Sequence, residues 1–173
     1  MQAILTRYNI DAVWHFTDRS NLALIQKHQG LLSLAELRRR GIEVPVTGGN
    51  DWSHDADEIK GVHEYVHLAF LDNHPMLFIA KREARIKDAV WLKIDASILL
   101  SEGTRFTSDV SNKAGVEILT AGAARDMIDF EVLFTYMDWR DPEVKTRRMA
   151  AEKSEVLVPT IVPIKAILGV RNG

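Results

Sequence analysis

One carboxylate stands at the head of a short apolar run near the C-terminus: Glu155 precedes Val156-Leu157-Val158, and Pro159 closes the run. An apolar run of this length ended by proline reads as a buried strand. A charge on its first residue constrains the fold, because a carboxylate there either marks a sheet edge or is held rigidly in a cleft. A distant segment, Trp14-His15-Phe16-Thr17, is also apolar and also carries one polar ring. A His on one strand and a Glu on another, far apart in sequence, is a common way to assemble a sugar- or nucleotide-handling site.

The 173 residues suffice for one domain with its own core, and neither repeat nor low-complexity linker divides them, so residues 1–173 are expected to form a single domain. With 46% hydrophobic and 27% charged residues the composition is that of an ordinary globule. No apolar run reaches the roughly 20 residues of a membrane span. The stretch from Met1 to Asp11 has no charged-then-apolar signal pattern, and the chain has no cysteine, so the expected location is the cytoplasm and disulfides and thiolate metal sites are excluded. A net charge of −2 gives no global basic field. Basic residues nevertheless cluster at Arg38-Arg39-Arg40, at Lys81-Arg82-Arg85-Lys87 and at Lys145-Arg147-Arg148. Such clusters are either solvated faces or the lining of a groove for a phosphate backbone.

Ala12 to Phe16 reads as a strand. Asp18-Arg19-Ser20 supplies cap chemistry for a short helix with Leu22, Leu24 and Ile25 on its apolar face, stopped at Gly30. Ser33 with Glu36 three residues on is a capping box opening a second helix or turn to Arg40. Pro45 to Asp57 reads as a polar loop that carries Trp52 and His54, either closing over a ligand or lying on the surface. His63 to Leu71 has strand composition, Met76 to Ala80 a helix start, Ala89 to Ile94 a strand, and Gly122 to Ile128 a helix. Glu131 to Tyr136 is a strand or the continuation of that helix. Asp141-Pro142 starts a helix that runs to about Lys153. Glu155 to Val158 and Ala166 to Val170 complete an α+β set.

His63-Glu64-Tyr65-Val66-His67 matches H-E-x-x-H, which on a helix sets two imidazoles on one face with the Glu as general base beside a zinc-bound water. Tyr65, Val66 and Phe70 favour a strand instead, where the two rings stand roughly 13 Å apart, too far for one metal. Phe70 and Asn73 also stand where a turn glycine and a third His are wanted, so no metal is expected. No P-loop, G-x-G-x-x-G or G-x-S-x-G is present, which leaves a Rossmann site and a serine hydrolase unsupported.

Trp14-His15-Phe16-Thr17-Asp18 with Asn21-Leu22, followed by Gly30-Leu31-Leu32-Ser33, resembles the opening of the DarT-type ADP-ribosyltransferases. Tyr65-Val66-His67-Leu68-Ala69-Phe70 with His74-Pro75-Met76-Leu77 is similar to their central strand and the turn after it. Phe106-Thr107 through Asn112 resembles their next loop, and Arg147-Arg148 through Pro159 the segment with their catalytic glutamate. The likeness runs through nearly the whole chain and lies in the order of the motifs. It implies an α+β fold: an ADP-ribosyltransferase-like split, twisted mixed β-sheet with flanking short helices that grips NAD as co-substrate. It implies transfer of ADP-ribose to a base in DNA, often single-stranded, as the toxin of a toxin–antitoxin or phage-defence pair, with an antitoxin protein as partner and no membrane.

By the same resemblance Glu155 is the catalytic carboxylate and His15 holds the nicotinamide ribose. Phe16, Thr17, Asn21, Gly30, Leu31 and Ser33 flank NAD, Phe70 and Met76 pack near the nicotinamide, and Asn112 belongs to the same site. Breaking the nicotinamide–ribose bond develops oxocarbenium character, and a carboxylate beside the ribose stabilises it or takes a proton from the acceptor. Trp52, Tyr136 and Trp139 are candidates for stacking on an unpaired base, with Lys60, Arg147 and Arg148 for the backbone. The chain departs from the family where better-known members carry an Arg-Arg pair. Ser53-His54-Asp55-Ala56-Asp57-Glu58-Ile59-Lys60 stands there, Lys lacks the bidentate grip of Arg, and His54 is the candidate to take over that work. A degenerate fold that binds nucleotide without turnover, a protein-directed transferase and a zinc hydrolase are the rival readings.

Overall fold

In this computed structural model, residues 1–47 and 54–173 are described in full, and 51–53 as helical backbone only. Helix α1 (Gln2–Tyr8) leads into strand β1 (Ala12–Asp18). Helix α2 (Leu22–Lys27), strand β2 (Gly30–Leu32), helix α3 (Leu34–Arg39) and helix α4 (Asp51–Lys60) precede strand β3 (Tyr65–Ala69). Helix α5 (Pro75–Arg82), strands β4 (Ala89–Asp95) and β5 (Arg105–Thr107), and helices α6 (Ala121–Met127), α7 (Phe130–Phe134) and α8 (Pro142–Ala151) follow. Strands β6 (Glu155–Pro159), β7 (Ile161–Pro163) and β8 (Ile167–Asn172) close the chain.

The main sheet runs β5-β6-β3-β1-β4-β8, and β2 pairs with β7 in a second, two-stranded sheet. The α+β class agrees with the expectation. Its sheet is not mixed, however: every strand pair among the described residues is antiparallel. The sheet is split as the resemblance implied. Strands β1 and β4 pair from Ala12–Asp95 to Asp18–Ala89, and β3 and β6 from Tyr65–Pro159 to Ala69–Glu155, but β1 and β3 share only the Trp14–Ala69 pair. Two well-formed ladders are therefore joined at one point, and a fork opens between them.

Strand alternation builds the core. Val13, Val66, Leu68, Val156 and Val158 belong to the larger buried cluster, which Phe130, Val132 and Leu133 of α7 help to cover. Ala69 and Trp91 lie in a smaller cluster with Leu77 and Ala80 of α5. Phe70, implied by the resemblance to lie near the nicotinamide, belongs to the larger core: it is 2% exposed and meets Phe130 edge-on at 5.3 Å. Ser33 is likewise structural, since it is buried and its hydroxyl accepts from the Glu36 N–H as the cap of α3.

Three local readings change. Gly30 does not stop α2 but begins β2, with φ +155° and a Cβ position 2.3 Å from the Val162 carbonyl oxygen, so only glycine lets β7 approach. Part of the expected loop from Pro45 to Asp57 is helix α4, and Lys60 in its last turn suits the helix dipole. The turn formers Gly48-Gly49-Asn50 lie outside the described residues. The segment expected as strand or helix at Glu131 to Tyr136 is the short α7, capped by Asp129. Among the described residues no helix is long and apolar enough to cross a membrane.

Replacing Phe70 with Ala should cost about 3–5 kcal/mol of stability in chemical denaturation, as for other buried aromatics. A loss below about 1 kcal/mol would contradict its place in the core.

Candidate active site

The fork between β1 and β3 is closed by a side chain. His15 Nδ1 lies 2.9 Å from the His67 carbonyl oxygen. A carbonyl only accepts, so Nδ1 carries the proton and Nε2 is a bare acceptor. Burial holds the His15 pKa below its ordinary value, against the pull of that bond, and keeps the ring neutral. His15 lines a cavity of about 290 Å³ at the fork, near the low end of small-molecule pockets.

Glu155 lies opposite Ala69 of β3 and Thr107 of β5, is 6% exposed, and lines the same cavity. Its Oε2 is 3.1 Å from His67 Nδ1, which is also 3.1 Å from Ser111 Oγ. His67 Nε2 donates to the Val62 carbonyl at 3.1 Å. His74 approaches from the other side, with Nε2 3.9 Å from Glu155 Oε1 while Nδ1 accepts from the Met76 N–H and caps α5. Burial alone raises the Glu155 pKa, but the bond and charge of His67 outweigh it, so the carboxyl lies below its ordinary value. The result is a fixed anion in a recess, which can stabilise positive charge on a bound molecule.

Asn21 shapes the wall. Its Nδ2 donates to Thr17 Oγ1 at 2.9 Å and to the Val46 carbonyl at 2.7 Å, tying the segment before the undescribed residues to the end of β1. Phe16 and Thr17 of β1 also line the cavity, as do Gly30 and Leu31 of β2. Met76, Asn112 and His54 complete this part of the expected set around it. Helix α4 adds a group that sequence reasoning missed: Asp57 lines the cavity, with Oδ1 buried and without a hydrogen-bond partner among the described residues. Burial pushes its carboxyl pKa up.

His67, Ser111 and His74 were not predicted as site residues. The available signal was a polar ring between Val66 and Leu68 on a strand otherwise apolar there. The H-E-x-x-H match had drawn attention to His67 for another reason, and its geometry fails. His63 sits in a single 3₁₀ turn (Val62–Glu64) and His67 on β3, so the two share no helix face. Among the described residues no group of three His, Cys, Asp or Glu could hold a metal ion.

Of the expected nucleic-acid residues, Lys60, Trp139, Arg147 and Arg148 lie outside the cavity lining. The Trp52 side chain lies outside the described residues. Lys60 donates to the Lys113 carbonyl at 3.0 Å. Arg147 forks onto Asp129 at 2.7 Å and reaches Glu131, and Arg148 binds Glu152 and the Val132 and Leu133 carbonyls, so both brace α8 against α7. Trp139 is 53% exposed, with the Arg148 guanidinium 5.2 Å from its ring centroid. The Arg38-Arg39-Arg40 triplet is ion-paired as well, to Glu58, Glu36 and Glu64, which favours the solvated-face reading for it.

No curated protein matches this chain in sequence. A Thermus sp. 2.9 DarT in complex with ADP-ribosylated ssDNA superposes with a TM-score of 0.70 at 16% identity, covering 94% of this chain and 81% of that one. The same Thermus protein in complex with NAD+ gives 0.62 at 19% identity, over 93% and 81%. A Thermosipho africanus DarTG in complex with ADP-ribose gives 0.67 at 18% identity, and covers 92% of this chain but 43% of that longer one. These likenesses establish the fold. The model of one family, described as "ssDNA thymidine ADP-ribosyltransferase, DarT", matches residues 14–171, a span that takes in His15, His67 and Glu155, and this chain belongs to that DarT family.

Proposed function

We propose that this protein cleaves the nicotinamide–ribose bond of NAD and transfers the ADP-ribosyl group to a base of single-stranded DNA, with thymidine, the base in the family description, as acceptor. The observation that carries this is the Glu155 carboxylate, paired with His67 and facing a cavity at the fork of a split sheet. The similar Thermus structures, one with NAD+ and one with ADP-ribosylated ssDNA, support both substrates.

The residues present fit the dinucleotide. The cavity joins apolar walls to a few convergent polar groups, and its buried anion has one oxygen not held by His67. NAD, when bound, supplies the ADP-ribosyl group and a leaving nicotinamide, and positive charge develops on the ribose as that bond breaks. Glu155 meets the charge with a pre-oriented anion, so little reorganisation is needed at the moment of reaction. His15 Nε2, unprotonated, serves as acceptor for a ribose hydroxyl and sets the sugar relative to Glu155. Asn21 and Thr17 keep the wall around them in place.

A base inside a duplex cannot reach such a recess, so the acceptor strand is single or the base is extruded. Trp139 and the 90% exposed Tyr136 are the stacking candidates on the exterior. With Arg147 and Arg148 occupied by carboxylates, the backbone contact falls on other cations. A toxin role held in check by an antitoxin protein in the cytoplasm belongs to the same proposal.

Two outcomes are expected with NAD labelled on its adenylate side. Glu155→Gln, which keeps shape but removes charge, should lower transfer to single-stranded thymidine-containing DNA by about 10²–10³-fold. Label that moves at the wild-type rate in this variant, or onto RNA or protein in preference to DNA, would contradict the proposal. Asn21→Ala should raise the half-saturating NAD concentration about tenfold, equivalent to about 1.4 kcal/mol, with a smaller effect on kcat. An unchanged value in initial-rate kinetics would show that the Val46 wall does not contact NAD.

A further inference from the structure

The transfer chemistry above uses His67 only as the partner of Glu155, yet its ring is held at both nitrogens. The Val62 carbonyl can only accept, so Nε2 is protonated. Nδ1 then faces Glu155 Oε2 and the Ser111 hydroxyl, each at 3.1 Å. Two bare lone pairs, one on Nδ1 and one on a carboxylate oxygen, would repel at that distance. A proton therefore lies between them, and His67 faces Glu155 either as a cation beside an anion or as a neutral ring beside a carboxylic acid.

We infer that His67 is a positioning residue for the transfer reaction: anchored from behind by the Val62 backbone, its cation keeps Glu155 ionised and holds it through Oε2, leaving Oε1 for the substrate. This rests on the transferase reading. The surroundings select the ionic form. Asp57 of α4 adds a second acidic group to the electrostatic environment of the ring. His15 of β1 and His74 before α5 are the opposing groups, and burial lowers the pKa of both. Ser111 gives a hydroxyl that adapts to either partner. The ring is 29% exposed, so solvent protons reach it.

Burial lowers the His67 pKa, but the bond and charge of Glu155 more than offset this, and the pKa rises from an ordinary 6.5 to about 9. A pKa raised by folding means that the stabilisation is complete below 6.5 and is lost as pH rises through about 9. Activity should follow the same alkaline limb, because loss of the cation releases Glu155.

The test combines pH–rate profiles with NMR titration of ¹⁵N-histidine-labelled protein. In wild type, kcat should fall as pH rises through about 9. His67→Gln should lower kcat by about 10²-fold, leave the KM for NAD nearly unchanged, and abolish that limb. The His67 ring should titrate near 9 in wild type and well below that in Glu155→Gln, a readout that needs neither activity nor a folded His67 variant. An alkaline limb unmoved in His67→Gln, or a ring neutral at pH 7.5 in an active enzyme, overturns the positioning role alone. A charged ring in a wild type that transfers nothing overturns the transferase reading, and with it any role of His67 in transfer.

Discussion

One gap in a sheet organises this molecule. Strands β1 and β3 meet at Trp14–Ala69 and then part, so backbone groups that would have paired across the middle of the sheet need other partners. His15 supplies one by donating to the His67 carbonyl. The bond fixes the width of the fork, sets the tautomer of His15 and places the His67 backbone. The His67 side chain then carries the constraint to Glu155, so the same residue is held by its carbonyl from one ladder and by its ring from the other.

Burying a carboxylate and an imidazole together is costly unless both are fully hydrogen-bonded. Here the ring spends both nitrogens and the carboxylate uses one oxygen on it. His74 Nε2 is left buried without a hydrogen-bond partner among the described residues, 3.9 Å from the other oxygen. An incompletely satisfied polar cluster in a recess is poor economy for stability alone, but suits a site that must receive a polar ligand. The surrounding apolar ladders, Val66–Val158 and Leu68–Val156, supply the rigidity that such a cluster lacks.

The exterior follows a different logic. Most of the arginines that looked available for phosphate are braces between helices: the triplet at residues 38–40 links α3 to α4 and the turn before β3, and Arg147 and Arg148 link α8 to α7. Bidentate geometry makes arginine good at both tasks, and a sequence does not distinguish them. A chain of net charge −2 in which the arginines at 38–40 and at 147 and 148 are ion-paired has little global field with which to attract a long polyanion.

Much of this was legible in the residues. The apolar runs headed by Glu155 and carrying His15 are strands β6 and β1, and Pro142 and Ser33 mark their helix starts, because alternation and capping are local rules. The motif order pointed to the family, and most of the residues it singled out for NAD line one cavity. Phe70 and Ser33 stand outside the cavity lining, because a residue next to a site in sequence can turn to the core or cap a helix. Helix α4 was read as loop because turn formers precede it. The sequence by itself determined which segments are strands and that a His and a Glu sit on two of them. Only the tertiary structure decided that β1 and β3 diverge, and that His67 and Ser111, 44 positions apart, meet at Glu155. The reason is physical: strand identity is set by neighbours along the chain, whereas a shared proton depends on groups that only sheet register brings within 3.1 Å of one another.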